Sequence, residues 1–322
     1  MLRKVINLLV VLSLLLTLGV LTGQSVARAE EPKPKITFII YTDASHEFWI
    51  PVVQGANDAA QMLGIDLDIQ YGNSDPVTQN NLIETAIANK VDGIAVSIPD
   101  DDAYDETVCK AMKEGIPVVA FNVDDSKGAE GNCRMAFMGQ DFVATGYLIA
   151  KRMIADHNIG KGDLVFTPVE WPEAVYANAR RTGVQKALDE VGAKSDMVGT
   201  GGNLADVQTI EVQYLLGHPE TKAIIALGAA PLTVAPKAVA EAKMNIPIGG
   251  FDLSPDIIAG IEDGTITATV DQQPYSQGFY AVTQLALYLR YGLYPSDMNT
   301  GGLGLVDKSN VATVKELVGK YR

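Results

Sequence analysis

From Ile36 onward the chain alternates short, almost wholly apolar runs with segments of helical period, and this alternation restricts its fold more than anything else. ITFII, LDIQY, GIAVSI, PVVAFN and MAFMG have the length of buried strands. Between them Val52–Leu63, Gln79–Asn89 and Asp102–Glu114 repeat apolar residues at helical spacing. Strands apolar on both faces and joined through helices form βαβ units around a parallel sheet. Gly64, Lys90 and Gly115 stand where each helix must stop before the next strand. A second series follows: helix Phe142–Ile154, strand DLVFTPV, helix Ala174–Val191, strand and turn MVGTGG, helix Asp206–Leu216, strand AIIALGA, helix Pro231–Ala242 and strand IPIGGFD. Two such series predict an α/β protein of two doubly wound parallel-sheet lobes. No Ser/Gly- or Pro-rich linker divides them, so ordered crossings form a multi-strand hinge. After Asp252 the order is SPDIIAGIEDG (helix), TITATVDQQP (strand), Tyr275–Tyr291 (helix), GGLGLVDKSN (strand and turn) and a C-terminal helix. A cleft between two hinged lobes is the default ligand site.

The first strand leads into YTDAS and then His46-Glu47-Phe48-Trp49. Two adjacent aromatics beside an imidazole suit a small polar ring, whose faces stack while the imidazole hydrogen-bonds a hydroxyl. Such ligands sit at the carboxyl ends of parallel strands. The same two aromatics could instead cover the core.

The N-terminus points to export. MLRK is basic, Val5 to Gly23 is an apolar run, and Ala27-Arg28-Ala29 has the small-x-small form of a cleavage site. Residues 1–29 read as a signal peptide cleaved after Ala29, although the run is also long enough for an uncleaved anchor. Gln24 stands where a lipoprotein would need cysteine. A periplasmic location follows. About 293 of the 322 residues remain, enough for two domains. They carry 22 basic against 39 acidic residues, a formal charge near −17, which argues against nucleic acid or anionic lipid as a partner. The two cysteines, Cys109 and Cys133, suit a disulfide in an oxidising compartment. With three histidines, His46, His157 and His218, and no C-x-x-C, a metal site is not expected. No cofactor is expected either.

Catalytic templates fail: G-x-S-x-G, H-E-x-x-H and the phosphate-binding G-x-x-x-x-G-K-[ST] are all missing. VGTGGN lacks the last glycine of a dinucleotide fingerprint and reads as a turn. Asp100-Asp101-Asp102 reads as a cap of the following helix, and Asp124-Asp125 as a solvated turn. What remains is a set of polar residues at the carboxyl ends of apolar strands: His46, Asn122, Glu170, Asn203, Asp252 and Gln272, with Arg180 near the start of a helix. Each alone could be a cap or a surface group. Their shared placement across both lobes points to one site.

These segments resemble the periplasmic solute-binding proteins of the ribose-binding type, the type I binding-protein fold. The resemblance covers nearly the whole mature chain and rests on the aromatic pair, DGIAVSIPDDDA, GIPVVAFN, MGQD, NARRTGVQKAL, IGGFDLSPD and ATVDQQPYSQG, in that order. It implies an N-terminal lobe of residues 30–139 with about 273–301, and a C-terminal lobe of 140–272 with about 302–322. It puts Phe48 and Trp49 against the ligand's faces, with His46 where the family usually has an amide. Asn122 and Asp252 would take ring hydroxyls, Arg180 would reach in from the C-terminal lobe, and Gln272 would be the hinge-side amide. Gln140 lies at the first crossing. Three departures set this chain apart from ribose binders: Val123 for an arginine, Gly228 for an asparagine, and Asn203 for an aromatic. Glu170 or Trp171 could supply a replacement contact. The resemblance implies a monomeric, non-enzymatic binding protein that delivers a small sugar-like solute to an inner-membrane ABC permease. Two other classes remain: a ligand-presenting sensor for a chemoreceptor or histidine kinase, including one for furanosyl signalling molecules, and an exported α/β enzyme. A transcription regulator of this fold would need a basic head in place of the export signal.

Overall fold

The structure is a computed structural model and describes residues 32–301 and 304–322. The expected signal peptide and its cleavage point after Ala29 lie outside the described residues. Among the described residues no helix is long and apolar enough to cross a membrane.

The predicted alternation folds into two six-stranded sheets. The first holds β1 (Lys35–Ile40), β2 (Asp66–Tyr71), β3 (Gly93–Val96), β4 (Val118–Asn122), β5 (Ala136–Gly139) and β11 (Met298–Asn299) in the order β11-β5-β4-β3-β1-β2, all parallel. The second holds β6 (Leu164–Val169), β7 (Lys194–Gly199), β8 (Thr221–Ala226), β9 (Ile248–Phe251), β10 (Ala268–Val270) and β12 (Leu305–Asp307) in the order β12-β10-β9-β8-β6-β7. Only β12 runs antiparallel there, against β10. Helices α1 (Trp49–Leu63), α2 (Pro76–Ala88), α3 (Asp105–Lys113) and the single turn α4 (Ala129–Asn132) serve the first sheet. Helices α5 (Phe142–His157), α6 (Val175–Asp189), α7 (Leu204–Gly217), α8 (Ala229–Glu241) and α9 (Pro255–Asp263) serve the second. Helix α10 (Pro274–Tyr291) then returns to pack on α1. The chain therefore passes between sheets after β5, after β10 and after β11.

Sequence chemistry fixes these elements. β1, β3 and β4 are buried along almost their whole length, as strands covered by helices on both faces must be. Asp75 and Ser254 cap α2 and α9 through backbone N–H groups, each followed by a proline at the first helical position. In each lobe two helices approach through glycines. A Cβ on Gly183 would lie 2.0 Å from the Val143 carbonyl oxygen of α5, and one on Gly278 would lie 2.0 Å from that of Val52 in α1.

Three expectations need correction. The C-terminal helix is instead two 3₁₀ turns, Val311–Thr313 and Lys315–Leu317, because Val311 and Val314 dock on the second sheet's core. Asp100 accepts N–H groups of Asp102 and Ala103 in the turn before α3, while Tyr104 takes the cap position. Asp124 and Asp125 are buried, not solvated. Asp124 accepts from Arg134 at 2.7 Å and from Asn132 at 2.9 Å, so its charge is matched. Beside them Cys109 of α3 is bonded to Cys133, 24 residues later, a cross-link that contributes roughly 3 kcal/mol by the chain-entropy model.

Candidate functional site

The carboxyl ends of both sheets face one cleft. From the first sheet, Tyr41 follows β1, the next loop carries His46 and Phe48, Trp49 opens α1, and Asn122 ends β4. From the second, Glu170 and Trp171 follow β6, Gly228 follows β8, and Asp252 follows β9. Arg180 projects from α6, and Gln272 lies on the crossing after β10. Together with Phe142, Tyr176 and Ala229 they line a narrow cavity open on one side. The lobes touch around it. The Val175 N–H donates to the Pro99 carbonyl at 3.1 Å, and Trp171 lies 6.2 Å from His46 and 6.5 Å from Tyr41, ring centre to ring centre.

Arg180 organises the C-terminal-lobe wall. It is only 2% exposed, because the glycine contact between α5 and α6 sits one turn away. Its guanidinium lies over Phe251 at 4.2 Å, Phe142 at 4.9 Å and Tyr176 at 5.1 Å, so the charge is held by aromatic faces in place of water. Nη1 donates to the Leu227 carbonyl at 2.5 Å and stands 3.6 Å from Asp252 Oδ2. Asp252 in turn accepts from Gln272 Nε2 at 2.5 Å through its other oxygen.

Asn122 and Asp252 both adopt left-handed backbone, with φ of 65° and 72°. Asn and Asp tolerate that region best, and here it turns each side chain off its strand end into the cleft. Asn122 donates to Gln277 Oε1 at 3.0 Å, and Gln277 donates to Gln272 Oε1 at 3.3 Å. Residues of both lobes thus share one network through the crossing. Val123, the departure beside Asn122, is fully buried among the apolar side chains of the other lobe.

Glu170 is 5% exposed. Oε1 accepts the Ala230 N–H at 3.0 Å, in the first turn of α8, and Oε2 accepts the Tyr176 hydroxyl at 3.2 Å. Burial lifts its pKa above the usual carboxylate value, and the Ala230 N–H opposes that lift. Burial and then the neighbouring Glu170 raise the Tyr41 and Tyr176 phenols as well, so both stay neutral donors.

The structure brings together His46, Phe48, Trp49, Asn122, Glu170, Trp171, Arg180, Gly228, Asp252 and Gln272. Asn203 stands in the outer part of the cleft, which His46, Phe48, Trp171, Asp252 and Gln272 also border, and Gln140 lines neither part. Asn203 caps α7 by accepting the N–H groups of Ala205 and Asp206. Gln140 is buried at the crossing, where its amide donates to the Asp271 carbonyl at 3.3 Å. Sequence reasoning passed over Tyr41, Phe142, Tyr176 and Ala229. Tyr176 had a signal: it precedes Arg180 by four, so the two share a helix face.

Three buried nitrogens of residues that line the cavity have no protein partner among the described residues: the Trp49 Nε1–H and Arg180 Nε–H donors, and His46 Nδ1, which donates or accepts according to its tautomer. Unpaired buried polar atoms are rare and costly. Set among carboxylate acceptors and aromatic faces, they can be satisfied by a small ring that both donates and accepts hydrogen bonds. Among the described residues no group of three or more His, Cys, Asp or Glu could hold a metal ion.

Behind this wall, Glu211 of α7 is fully buried and neither of its oxygens has a partner. Burial drives its pKa well up, and Glu170 adds to the rise. A raised folded-state pKa favours folding below the unfolded value, near 4.3, and that contribution is lost as pH rises towards the folded value. Glu211→Gln removes this proton. Its stability relative to the parent chain is therefore expected to climb by up to about 1.4 kcal/mol per pH unit above pH 4. Urea midpoints at pH 4, 5.5 and 7 check this; parallel curves for the two proteins would contradict it.

The model of a periplasmic binding protein domain matches residues 36–292. A xylose/arabinose-binding protein of Sulfolobus acidocaldarius is 30% identical over 300 residues, covering 88% of this chain and 73% of that protein. A ribose import binding protein of Bacillus subtilis is 27% identical over 281 residues, covering 84% and 88%. Among solved structures, a carbohydrate transporter from Acidothermus cellulolyticus in complex with myo-inositol superposes with a TM-score of 0.81 at 30% identity, covering 89% of this chain and 99% of that one.

Proposed function

The chain belongs to the periplasmic binding protein family, and from that premise we propose that it captures a small neutral sugar or polyol between its lobes and delivers it to an ABC importer. The observation that carries this reading is the ring of unpartnered N–H groups, carboxylates and aromatic faces around one cavity. Hydroxyls donate to Asp252 and Glu170 and accept from Arg180, His46 and Trp49. The apolar faces of the ring lie against Phe48, Trp49 and Trp171. The named ligands of the relatives, xylose, arabinose, ribose and myo-inositol, share this chemistry. On this reading the protein is exported and acts by binding, without turnover. Its lobes are 30–139 with about 273–301 and 140–272 with about 302–322. A ligand touching both lobes favours the closed form by its differential affinity.

A thermal-shift screen over pentoses, hexoses and cyclitols tests it. One class is expected to stabilise the protein by about 2.7 kcal/mol at a hundredfold excess over Kd. A flat response to every sugar and polyol would remove the reading.

A further inference from the structure

Gly228 follows β8 and caps α8 without a side chain. A Cβ at that position would lie 1.9 Å from Glu170 Oε2 and 2.5 Å from both Oε1 and Cδ. The backbone there is extended, so conformation does not demand glycine; a side chain would instead have to push the Glu170 carboxylate from its place. Glu170 reaches over from the end of β6, takes the volume a side chain at 228 would fill, and accepts the N–H of Ala230 at the start of α8. The two positions are one feature: a carboxylate delivered from β6 in place of a side chain delivered from β8.

That exchange changes the charge of the pocket. Glu170 and Asp252 both border the cavity, and the Asp252 charge adds to the lift of the Glu170 pKa. Arg180, the one buried guanidinium lining it among the described residues, stands 3.6 Å from Asp252. The Ala230 N–H and the Tyr176 hydroxyl favour the ionised Glu170 against its burial, and with it ionised one guanidinium faces two carboxylates in a buried wall where screening is weak. A neutral hydroxyl can donate to such a wall. A ligand carboxylate or phosphate would have to displace a carboxylate already held by Tyr176 and Ala230.

We propose that Glu170, made possible by Gly228, is the specificity-determining residue of the pocket. It accepts a hydroxyl hydrogen from a neutral sugar and excludes the corresponding acidic sugar. The inference rests on the sugar-binding reading above and adds the discrimination by charge.

The test compares D-galactose with D-galacturonate and D-xylose with D-glucuronate, by calorimetry, on the parent chain, Glu170→Gln and Glu170→Ala. The parent is expected to bind a neutral member and to reject its acid. Glu170→Gln, which keeps the shape and removes the charge, is expected to shift the ratio of neutral to acidic affinity by at least tenfold towards the acid. A structural role alone would lower both affinities and leave their ratio unchanged, and that result overturns the inference while leaving sugar binding intact. A parent chain that binds no sugar or polyol of the thermal-shift screen overturns both readings, and one that binds D-galacturonate or D-glucuronate as tightly as the sugars it accepts overturns this one alone. A second arm needs no sugar. Gly228→Ala is expected to lower the melting temperature in the parent and to cost nothing in the Glu170→Ala background. Equal losses in the two backgrounds overturn the link between the positions.

Discussion

Arg180→Met is expected to lower sugar affinity by a factor of one hundred or more and to destabilise the fold at the same time. Methionine matches much of the arginine stem, so the cavity wall keeps its bulk while the charge and the donors go. The loss has three parts. Asp252 keeps its bond from Gln272 but loses the buried Arg180 cation beside it, and breaking a buried pair by removing one partner costs about 3–5 kcal/mol. The Leu227 carbonyl, an acceptor held at 2.5 Å, loses its side-chain donor. The Nε–H, which has no protein partner, is no longer there for a ligand oxygen. A hundredfold loss of affinity corresponds to about 2.8 kcal/mol, within reach of one charge-assisted bond and the ordering around it. Calorimetric titration and a urea melt separate the two effects. Unchanged affinity in a folded Arg180→Met protein would show that the guanidinium only props the aromatic rings apart.

Gly183→Ala is expected to damage both stability and binding through the backbone. The added methyl would sit 2.0 Å from the Val143 carbonyl oxygen and 2.6 Å from the Tyr147 nitrogen, both rigid parts of α5. No side chain can swing aside, so α6 must back away from α5. Overpacking of this kind costs about 1–3 kcal/mol, and a clash with helix backbone belongs at the top of that range. At about 2–4 °C per kcal/mol the melting temperature should fall by on the order of 10 °C. Arg180 lies one turn earlier on α6, and its carbonyl oxygen already sits 2.2 Å from where a Cβ on Gly146 would be. Any separation of the helices therefore moves the guanidinium, and sugar affinity should drop with stability. A melting temperature within a degree of the parent would contradict the helix contact.

The lobes were legible because parallel strands covered on both faces must be apolar nearly end to end, and ITFII, GIAVSI and PVVAFN are. The C-terminal residues were not. VATVKELVGKYR has helical spacing, but Val311 and Val314 are pinned to the core and the side chain of Arg322 pairs with Asp271, so tertiary contacts cut it into short turns. Asp124-Asp125 misled for a similar reason: its partner Arg134 is ten residues away and joined only by the fold. In the cavity, polar residues just past strand ends could be picked out because the topology collects those ends in one cleft. The same rule also selected Asn203, since a residue between a strand and a helix serves equally well as an N-cap. Glu170 and Gly228 could each be suspected alone. That they exclude each other's alternatives is visible only in space.

The protein has two tryptophans, and both line the cavity: Trp49 from the first lobe and Trp171 from the second. Tryptophan emission, excited at the red edge where the twelve tyrosines do not absorb, therefore reports on the proposed site. Titration with the sugar that most raises the melting temperature is expected to give a saturable change with one site per chain, abolished in Asp252→Ala. A sugar that stabilises the protein without altering tryptophan emission, or an Asp252→Ala protein that titrates like the parent, would place the binding site elsewhere.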